Sequence, residues 1–125
     1  MHTEDLNGKT LEHWSVEDVA SAIAAKKIIL IDVRTPQEYM FEHIHGALLA
    51  PMSGFDAAFM PSADDRPIVF HCGSGMRSRM VATKYLEAGH DKIAHMDGGF
   101  AAWKTAAKPY TGTDPATGAP RKMGS

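Results

Sequence analysis

The feature that most constrains the fold is a set of short apolar runs that alternate with helical patterns. The run from Ile28 to Val33 is almost entirely apolar and rich in β-branched residues, which is typical of a strand buried on both faces. A similar run from Pro67 to His71 is followed by a segment with apolar residues at helical spacing, Ser78 to Ala88. Strands that alternate with helices in this way predict an α/β domain whose sheet is mostly parallel.

The remaining elements and the domain boundaries follow from the same patterns. Further strands are predicted over residues 47–50 and 92–96, and further helices over 15–27, 36–42, 54–60 and from Gly99 onward. Ser15 with Asp18 three residues later is typical of a helix N-terminus. We expect an N-terminal extension over 1–10, a single domain over 11–108 and a flexible tail, rich in Gly, Pro and Thr, over 109–125.

Composition excludes several classes of protein. The 125 residues carry a formal net charge of −2, so the chain lacks the basic excess of proteins that bind nucleic acid or anionic membranes. Its longest apolar runs are far too short to span a bilayer, and residues 1–5 are acidic and polar where a signal peptide is basic and then apolar. We therefore expect a cytoplasmic protein without nucleic-acid or membrane partners. Its one cysteine excludes an internal disulfide.

The candidate chemistry lies in the loop that begins at this cysteine, Cys72. It follows directly on a predicted strand, and ligands of open α/β sheets bind beyond the carboxyl ends of the strands. Glycines after the cysteine let successive backbone N–H groups point inward, and the next helix adds its positive N-terminal end, so the pattern predicts an anion-binding loop with a reactive thiol. We expect Arg77 to close this loop with a fixed positive charge. The predicted substrate-binding residues are Gly73, Ser74, Gly75, Met76, Arg77 and Ser78.

Several motifs together resemble the rhodanese-like (thiosulfate sulfurtransferase) family. The segment from His71 to Ser78 is similar to the active-site loop of that family, and other landmarks follow in the family's order over about residues 13–105. These landmarks are Ile31-Asp32-Val33-Arg34, Glu38-Tyr39, His43-Ile44-His45-Gly46-Ala47 and Met96-Asp97-Gly98-Gly99 with Trp103. The resemblance implies a five-stranded, mostly parallel sheet flanked by helices.

The resemblance also implies a reaction. Cys72 would take the outer sulfur of a donor such as thiosulfate as a persulfide and pass it to cyanide in an assay or to a thiol in a cell. A protein persulfide is an alternative donor or acceptor. Four residues separate Cys72 from Arg77, so the loop from Cys72 to Arg77 has six residues. This is the loop length that the family associates with sulfur transfer. Residues 73–76 carry no charge, whereas family members tuned for thiosulfate often have a cation there.

Two alternatives remain open. Related phosphatases and arsenate reductases have a loop one residue longer, which accommodates a tetrahedral oxyanion. Catalytically idle members of the family serve as binding or sulfur-sensing modules, and these typically lack the cysteine that is present here as Cys72.

For other polar residues, a structural role explains the sequence pattern as well as a functional role does. Asp32 and Arg34 are predicted to form an ion pair, which in the resembled family helps to hold the active-site loop. His71 should point to the opposite face of the sheet from Cys72, so we do not assign it as a base. His43 and His45 have no further convergent ligand in view. We therefore expect neither a metal nor a cofactor.

Overall fold

The computed structural model of the protein describes residues 1–61 and 66–124. In this part of the chain, four helices and eight strands are assigned. The helices are α1 (Val16–Ala24), α2 (Pro36–Phe41), α3 (Met76–Glu87) and α4 (Gly99–Thr105). The strands are β1 (His2–Leu6), β2 (Lys9–Trp14), β3 (Ile29–Asp32), β4 (Leu48–Leu49), β5 (Ile68–His71), β6 (Lys92–Met96), β7 (Tyr110–Thr113) and β8 (Pro120–Met123).

The central sheet confirms the predicted α/β class. Its strand order among the described residues is β1-β2-β6-β5-β3-β4, and every neighbouring pair except β1 and β2 is parallel. The sheet has six strands rather than the expected five, because β1 pairs antiparallel with β2 at one edge. The segment predicted as an N-terminal extension therefore contains an edge strand.

Two hydrophobic cores cover the two faces of the sheet. Alternate residues of a strand point to opposite faces, and in β5 the side chains of Ile68 and Phe70 pack in one core while Val69 packs in the other. Helix α3 covers the first face through residues that include Val81 and Leu86. Helices α1 and α4 cover the second face. The result is the predicted three-layer arrangement, with the carboxyl ends of the five parallel strands, β2, β3, β4, β5 and β6, at one edge.

Local sequence signals account for the helix ends. Ser15 forms a complete capping box with Asp18 at the start of α1, and Thr35 forms one with Glu38 at the start of α2. The helix predicted over 54–60 is instead a pair of short 3₁₀ turns, Met52–Gly54 and Ala57–Phe59. The Asp56 side chain accepts a bond from the Ala58 N–H and starts the second turn separately. No helix of the described residues is long and apolar enough to cross a membrane.

The segment predicted as a flexible tail contains a hairpin. Strands β7 and β8 pair antiparallel, and Asp114 closes the intervening turn by accepting a hydrogen bond from the Gly118 N–H at 2.8 Å. Thr111 attaches the hairpin to the rest of the domain through two backbone hydrogen bonds of 2.8 Å with His43. The Gly, Pro and Thr content of this segment therefore reflects a turn and two short strands.

Candidate functional site

Cys72 lies directly after β5, at the predicted edge of the sheet. Its side chain belongs to the core beneath α3 and is 0% exposed. The Cys72 Sγ accepts hydrogen bonds from the backbone N–H of Gly75 at 3.1 Å and of Ser78 at 3.3 Å. Gly75 has a φ of 107°, a left-handed conformation that glycine adopts without steric cost. The loop thus curls around the sulfur as the glycine pattern predicts.

These contacts change the acidity of the thiol. Burial raises the pKa of Cys72, but hydrogen bonds from the Ser78 backbone and hydroxyl and from the Gly75 and Ser74 backbones outweigh burial and lower it below its usual value. The amides stabilise negative charge on sulfur, because a hydrogen bond to the ionised form favours that form. The arrangement can therefore present a thiolate, the nucleophilic form of cysteine.

Arg77 does not stand alone at the end of the loop. Its guanidinium forms a two-point ion pair with the Glu38 carboxylate of α2, with Nη1–Oε1 and Nη2–Oε2 distances of 2.7 and 3.1 Å. The hydrogen bond from Arg77 lowers the pKa of Glu38 to about 2. The same guanidinium lies against the loop, because a Cβ added to Gly73 would be 3.2 Å from Arg77 Nη2. Glu38 was not among the predicted site residues. Its only sequence signal was the capping-box position after Thr35 and its place in a family landmark.

The N-terminus of α4 holds the first two carbonyl groups of the loop. The Phe100 N–H donates to the Cys72 carbonyl at 2.8 Å, and the Ala101 N–H donates to the Gly73 carbonyl at 3.0 Å. Gly99 permits this approach: a Cβ at that position would lie 2.5 Å from the Cys72 carbonyl oxygen. Its φ of 60° is also left-handed. Gly99 is therefore a positioning residue of the loop that the sequence analysis quoted as a landmark without a role.

Asp32 and Arg34 form the predicted ion pair, buried on the α1 and α4 side of the sheet. Arg34 Nε and Nη2 donate to the Asp32 carboxylate at 2.8–3.0 Å, and Nη2 also donates to the Glu42 carbonyl at 2.7 Å. The guanidinium carbon of Arg34 lies 4.6 Å from the centre of the Phe100 ring. Since the Phe100 N–H holds the Cys72 carbonyl, the pair is connected to the loop through one intervening residue.

The histidines considered in the sequence lie away from the thiol. His71 is buried on the other face, with Nε2 3.7 Å from Asp32 Oδ2, and burial lowers its pKa. Within the described residues its Nε2 is a buried nitrogen without a hydrogen-bond partner. His43 Nδ1 contacts the Tyr39 carbonyl at 2.7 Å, whereas His45 is exposed. The prediction that His71 points away from Cys72 is confirmed.

The outer part of the loop is accessible, and its inner end is connected to a histidine network. Ser74 is exposed, and Met76 is 75% exposed. Ser78 is fully buried, and its hydroxyl lies 3.2 Å from the Gly75 carbonyl and 2.9 Å from His95 Nδ1. His95 was missed by the sequence analysis, because a polar residue within an apolar strand has no local pattern that identifies its partner.

Comparisons with known proteins show what this chain is similar to. Residues 15–106 match the family model described as Rhodanese-like domain. Thiosulfate sulfurtransferase GlpE of Shewanella oneidensis is 34% identical over 98 residues, which cover 78% of this chain and 96% of that protein. An uncharacterized protein of Synechocystis sp. is 37% identical over 105 residues, which cover 84% of this chain, and the match spans only about half (54%) of that protein.

A solved structure from Rhodopseudomonas palustris is also similar. That protein is described as one of unknown function and a possible tyrosine phosphatase. Its TM-score is 0.68 at 25% identity, and the match covers 79% of this chain and 83% of that chain.

Proposed function

Because the chain belongs to the rhodanese-like domain family, we propose that it is a sulfurtransferase in which Cys72 carries sulfane sulfur from a donor to an acceptor. The observation that supports this most strongly is the position of the Cys72 sulfur, which accepts hydrogen bonds from the Gly75 and Ser78 amides. The family and the name of the Shewanella oneidensis relative support sulfurtransferase activity. The donor, the acceptor and the role of each residue are our proposal.

The proposed reaction has two steps on one sulfur atom. The Cys72 thiolate attacks the outer sulfur of thiosulfate, the sulfur–sulfur bond of the donor breaks, and sulfite leaves with the electron pair. The persulfide anion formed on Cys72 then receives hydrogen bonds from the amides of residues 74–78, since preorganised donors stabilise the charge that develops there. A cyanide ion or an acceptor thiolate attacks the terminal sulfur, and Cys72 leaves as a thiolate. Atoms and electrons balance in both steps without a cofactor.

The charge around the loop bears on the class of donor. The Glu38 carboxylate compensates the Arg77 guanidinium at 2.7 Å, and residues 73–76 carry no charge. Among the described residues of the loop and its surroundings, the backbone N–H groups and the N-terminus of α3 therefore remain to attract an anion. We infer that low-molecular-weight or protein persulfides, whose reacting group carries one negative charge where thiosulfate carries two, serve as donors at least as well. We place the reaction in the cytoplasm, because that reducing compartment keeps Cys72 as a free thiol and supplies thiol acceptors.

Access to the thiol requires movement of the loop. Cys72 is 0% exposed, so a donor reaches its sulfur only when the outer loop residues shift. Ser74 and Met76 are exposed and meet the donor first. The inner end is held by α4, by the Asp32–Arg34 pair behind it and by Ser78, to which we assign a positioning role. The loop can thus open at its tip while the Cys72 carbonyl stays fixed.

One finding favours a second candidate function. The solved relative described as a possible tyrosine phosphatase is 25% identical to this chain, and a thiolate within a ring of amides can also attack phosphorus. The loop here is one residue shorter than the resembled phosphatases have, so we rank phosphatase activity second. A non-catalytic binding or sulfur-sensing module is the third alternative, and an ionisable Cys72 in the loop argues against it.

A steady-state assay separates these three candidates. We expect thiocyanate and sulfite to form in equal amounts from thiosulfate and cyanide with the parent protein, and neither to form above background with Cys72→Ser. A parallel assay with an aryl phosphate should give no turnover. Efficient phosphate hydrolysis would favour the second candidate. Absence of both activities, including with a persulfide donor, would favour the binding module.

A further inference from the structure

Three side chains outside the thiol loop bring potential metal ligands together at the carboxyl ends of β2 and β6. His13 Nδ1 lies 3.0 Å from His95 Nε2 and 3.5 Å from Asp97 Oδ1, and His95 Nε2 lies 4.0 Å from the same carboxylate oxygen. His2 stacks on His13 with ring centres 4.4 Å apart. The ligand atoms that His2, His13 and Asp97 offer lie within 4.8 Å of one another.

These separations suit a small divalent ion. Zinc binds imidazole nitrogen and carboxylate oxygen at about 2.0–2.2 Å with tetrahedral geometry, which places neighbouring ligands about 3.3 Å apart. The three distances among His13, His95 and Asp97 surround this value. A set of imidazoles with one carboxylate is typical of zinc and neighbouring transition metals, whereas magnesium and calcium prefer oxygen ligands.

In the buried His13 and His95, the ring nitrogen that points away from the cluster has a hydrogen-bond partner. His13 Nε2 contacts Glu4 Oε1 at 3.0 Å, and His95 Nδ1 contacts Ser78 Oγ at 2.9 Å. Arg79 in turn holds Glu4 through two contacts of 2.7 Å. Histidines that bind metals almost always have such partners, which fix the tautomer and aim the free nitrogen at the ion. The two remaining nitrogens, His13 Nδ1 and His95 Nε2, share a hydrogen bond of 3.0 Å, so an ion bound between them would displace the proton of that bond.

We propose that His13, His95 and Asp97 bind one divalent transition-metal ion of the zinc type, and that the exposed His2 ring rotates out of its stack on His13 to supply the fourth ligand. This goes beyond the proposed sulfur transfer and departs from the expectation that the protein has no metal site. That expectation considered only His43 and His45, which the structure keeps apart from this cluster.

The proposed site is connected to the thiol loop through Ser78. A metal on His95 Nε2 requires the proton of that ring to reside on Nδ1, where it donates to Ser78 Oγ. The Ser78 hydroxyl then keeps its own proton for the Gly75 carbonyl, 3.2 Å away, or for the Cys72 sulfur, with which the Ser78 side chain also interacts. Two hydrogen bonds therefore separate the proposed metal from the thiol.

Calorimetric titration of the full chain with zinc, after removal of metals by a chelator, tests the proposal. We expect one ion per chain. Asp97→Asn and His2→Ala should each weaken zinc binding at least 10-fold, and Glu4→Gln should weaken it about 10–100-fold, as loss of an outer partner does in other zinc sites. Residues 2 and 97 are exposed, so these variants should fold, which circular dichroism can verify.

Two controls exclude other binding modes. His45→Gln removes an exposed histidine outside the cluster and should leave zinc affinity unchanged. Cys72→Ser should also retain one zinc per chain, because the sulfur is not a proposed ligand. Absence of zinc binding by the parent, retention of parental affinity in Asp97→Asn, or loss of binding in Cys72→Ser would overturn the proposal. Each of these readouts is independent of sulfurtransferase activity.

Discussion

Substitution of Gly99 tests how the thiol loop is held. In Gly99→Ala, the new Cβ would lie 2.5 Å from the Cys72 carbonyl oxygen and 2.6 Å from the Gly73 carbonyl carbon, far inside van der Waals contact. Because both atoms are backbone, the loop and α4 must separate. The two hydrogen bonds that join them, at 2.8 and 3.0 Å, would weaken or break.

The expected cost has two parts. A non-glycine residue in the left-handed conformation costs about 1 kcal/mol, and loss of two backbone hydrogen bonds costs about 2 kcal/mol more. The control is Gly8→Ala, since Gly8 is also left-handed, with a φ of 85°, but a Cβ there would meet nothing within 4 Å. Gly8→Ala should therefore cost only the first part.

Urea denaturation of the two variants and the parent measures this difference. We expect Gly99→Ala to lose about 2 kcal/mol more free energy of unfolding than Gly8→Ala, which is the part due to the two hydrogen bonds. Equal destabilisation by the two substitutions would show that the contact between α4 and the loop does not hold the site.

Three further predictions concern the loop. The pKa of Cys72 lies below its usual value, although burial raises it. The alkylation rate should therefore level off at a lower pH than for a free thiol, and Ser78→Ala should shift the inflection upward. An inflection of the parent protein at the free-thiol value would contradict this. The pKa of Glu38 is lowered from 4.5 to about 2, so its pair with Arg77 stabilises the fold above pH 4.5 and loses that contribution as the pH falls toward 2. Acid unfolding of Glu38→Gln should then be less steep in that window, and an identical profile would refute the pair's contribution. A glycine inserted after Gly75 should lower sulfur transfer at least ~100-fold by displacing oxyanion-type donors, measured as turnover beside circular dichroism; parental turnover would show that loop length does not select the reaction.

The parallel strands of the central sheet could be predicted because they are buried. The run from Ile28 to Val33 and the run ending at His71 lie within the core, where apolar β-branched residues indicate a strand on their own. The edge strand β1 has no such pattern, since its residues are largely exposed. Asn7-Gly8 between β1 and β2 is nevertheless a strong hairpin signal, and the φ values of 55° and 85° show the expected turn. That signal was available in the sequence and was overlooked.

The candidate site could be predicted only where its residues are consecutive. Cys72 and the loop to Ser78 come together because they are neighbours in the chain. Glu38 is 39 positions from Arg77 and His13 is 82 positions from His95, and each pair meets only through strand order and register. Such contacts leave no periodic trace, so the Glu38–Arg77 ion pair and the histidine cluster appeared only in the structure.

The central claim is that sulfur resides on Cys72 between the two half-reactions, and the mass of the intact protein tests it most directly. After incubation with thiosulfate or a persulfide donor and removal of excess reagent, the parent chain should be heavier by one sulfur atom. Cyanide or a thiol should restore the original mass. Cys72→Ser should keep its mass throughout, since the chain has no other cysteine. An unmodified parent protein that still releases sulfite at its steady-state rate, or a Cys72→Ser variant that gains sulfur, would contradict the account.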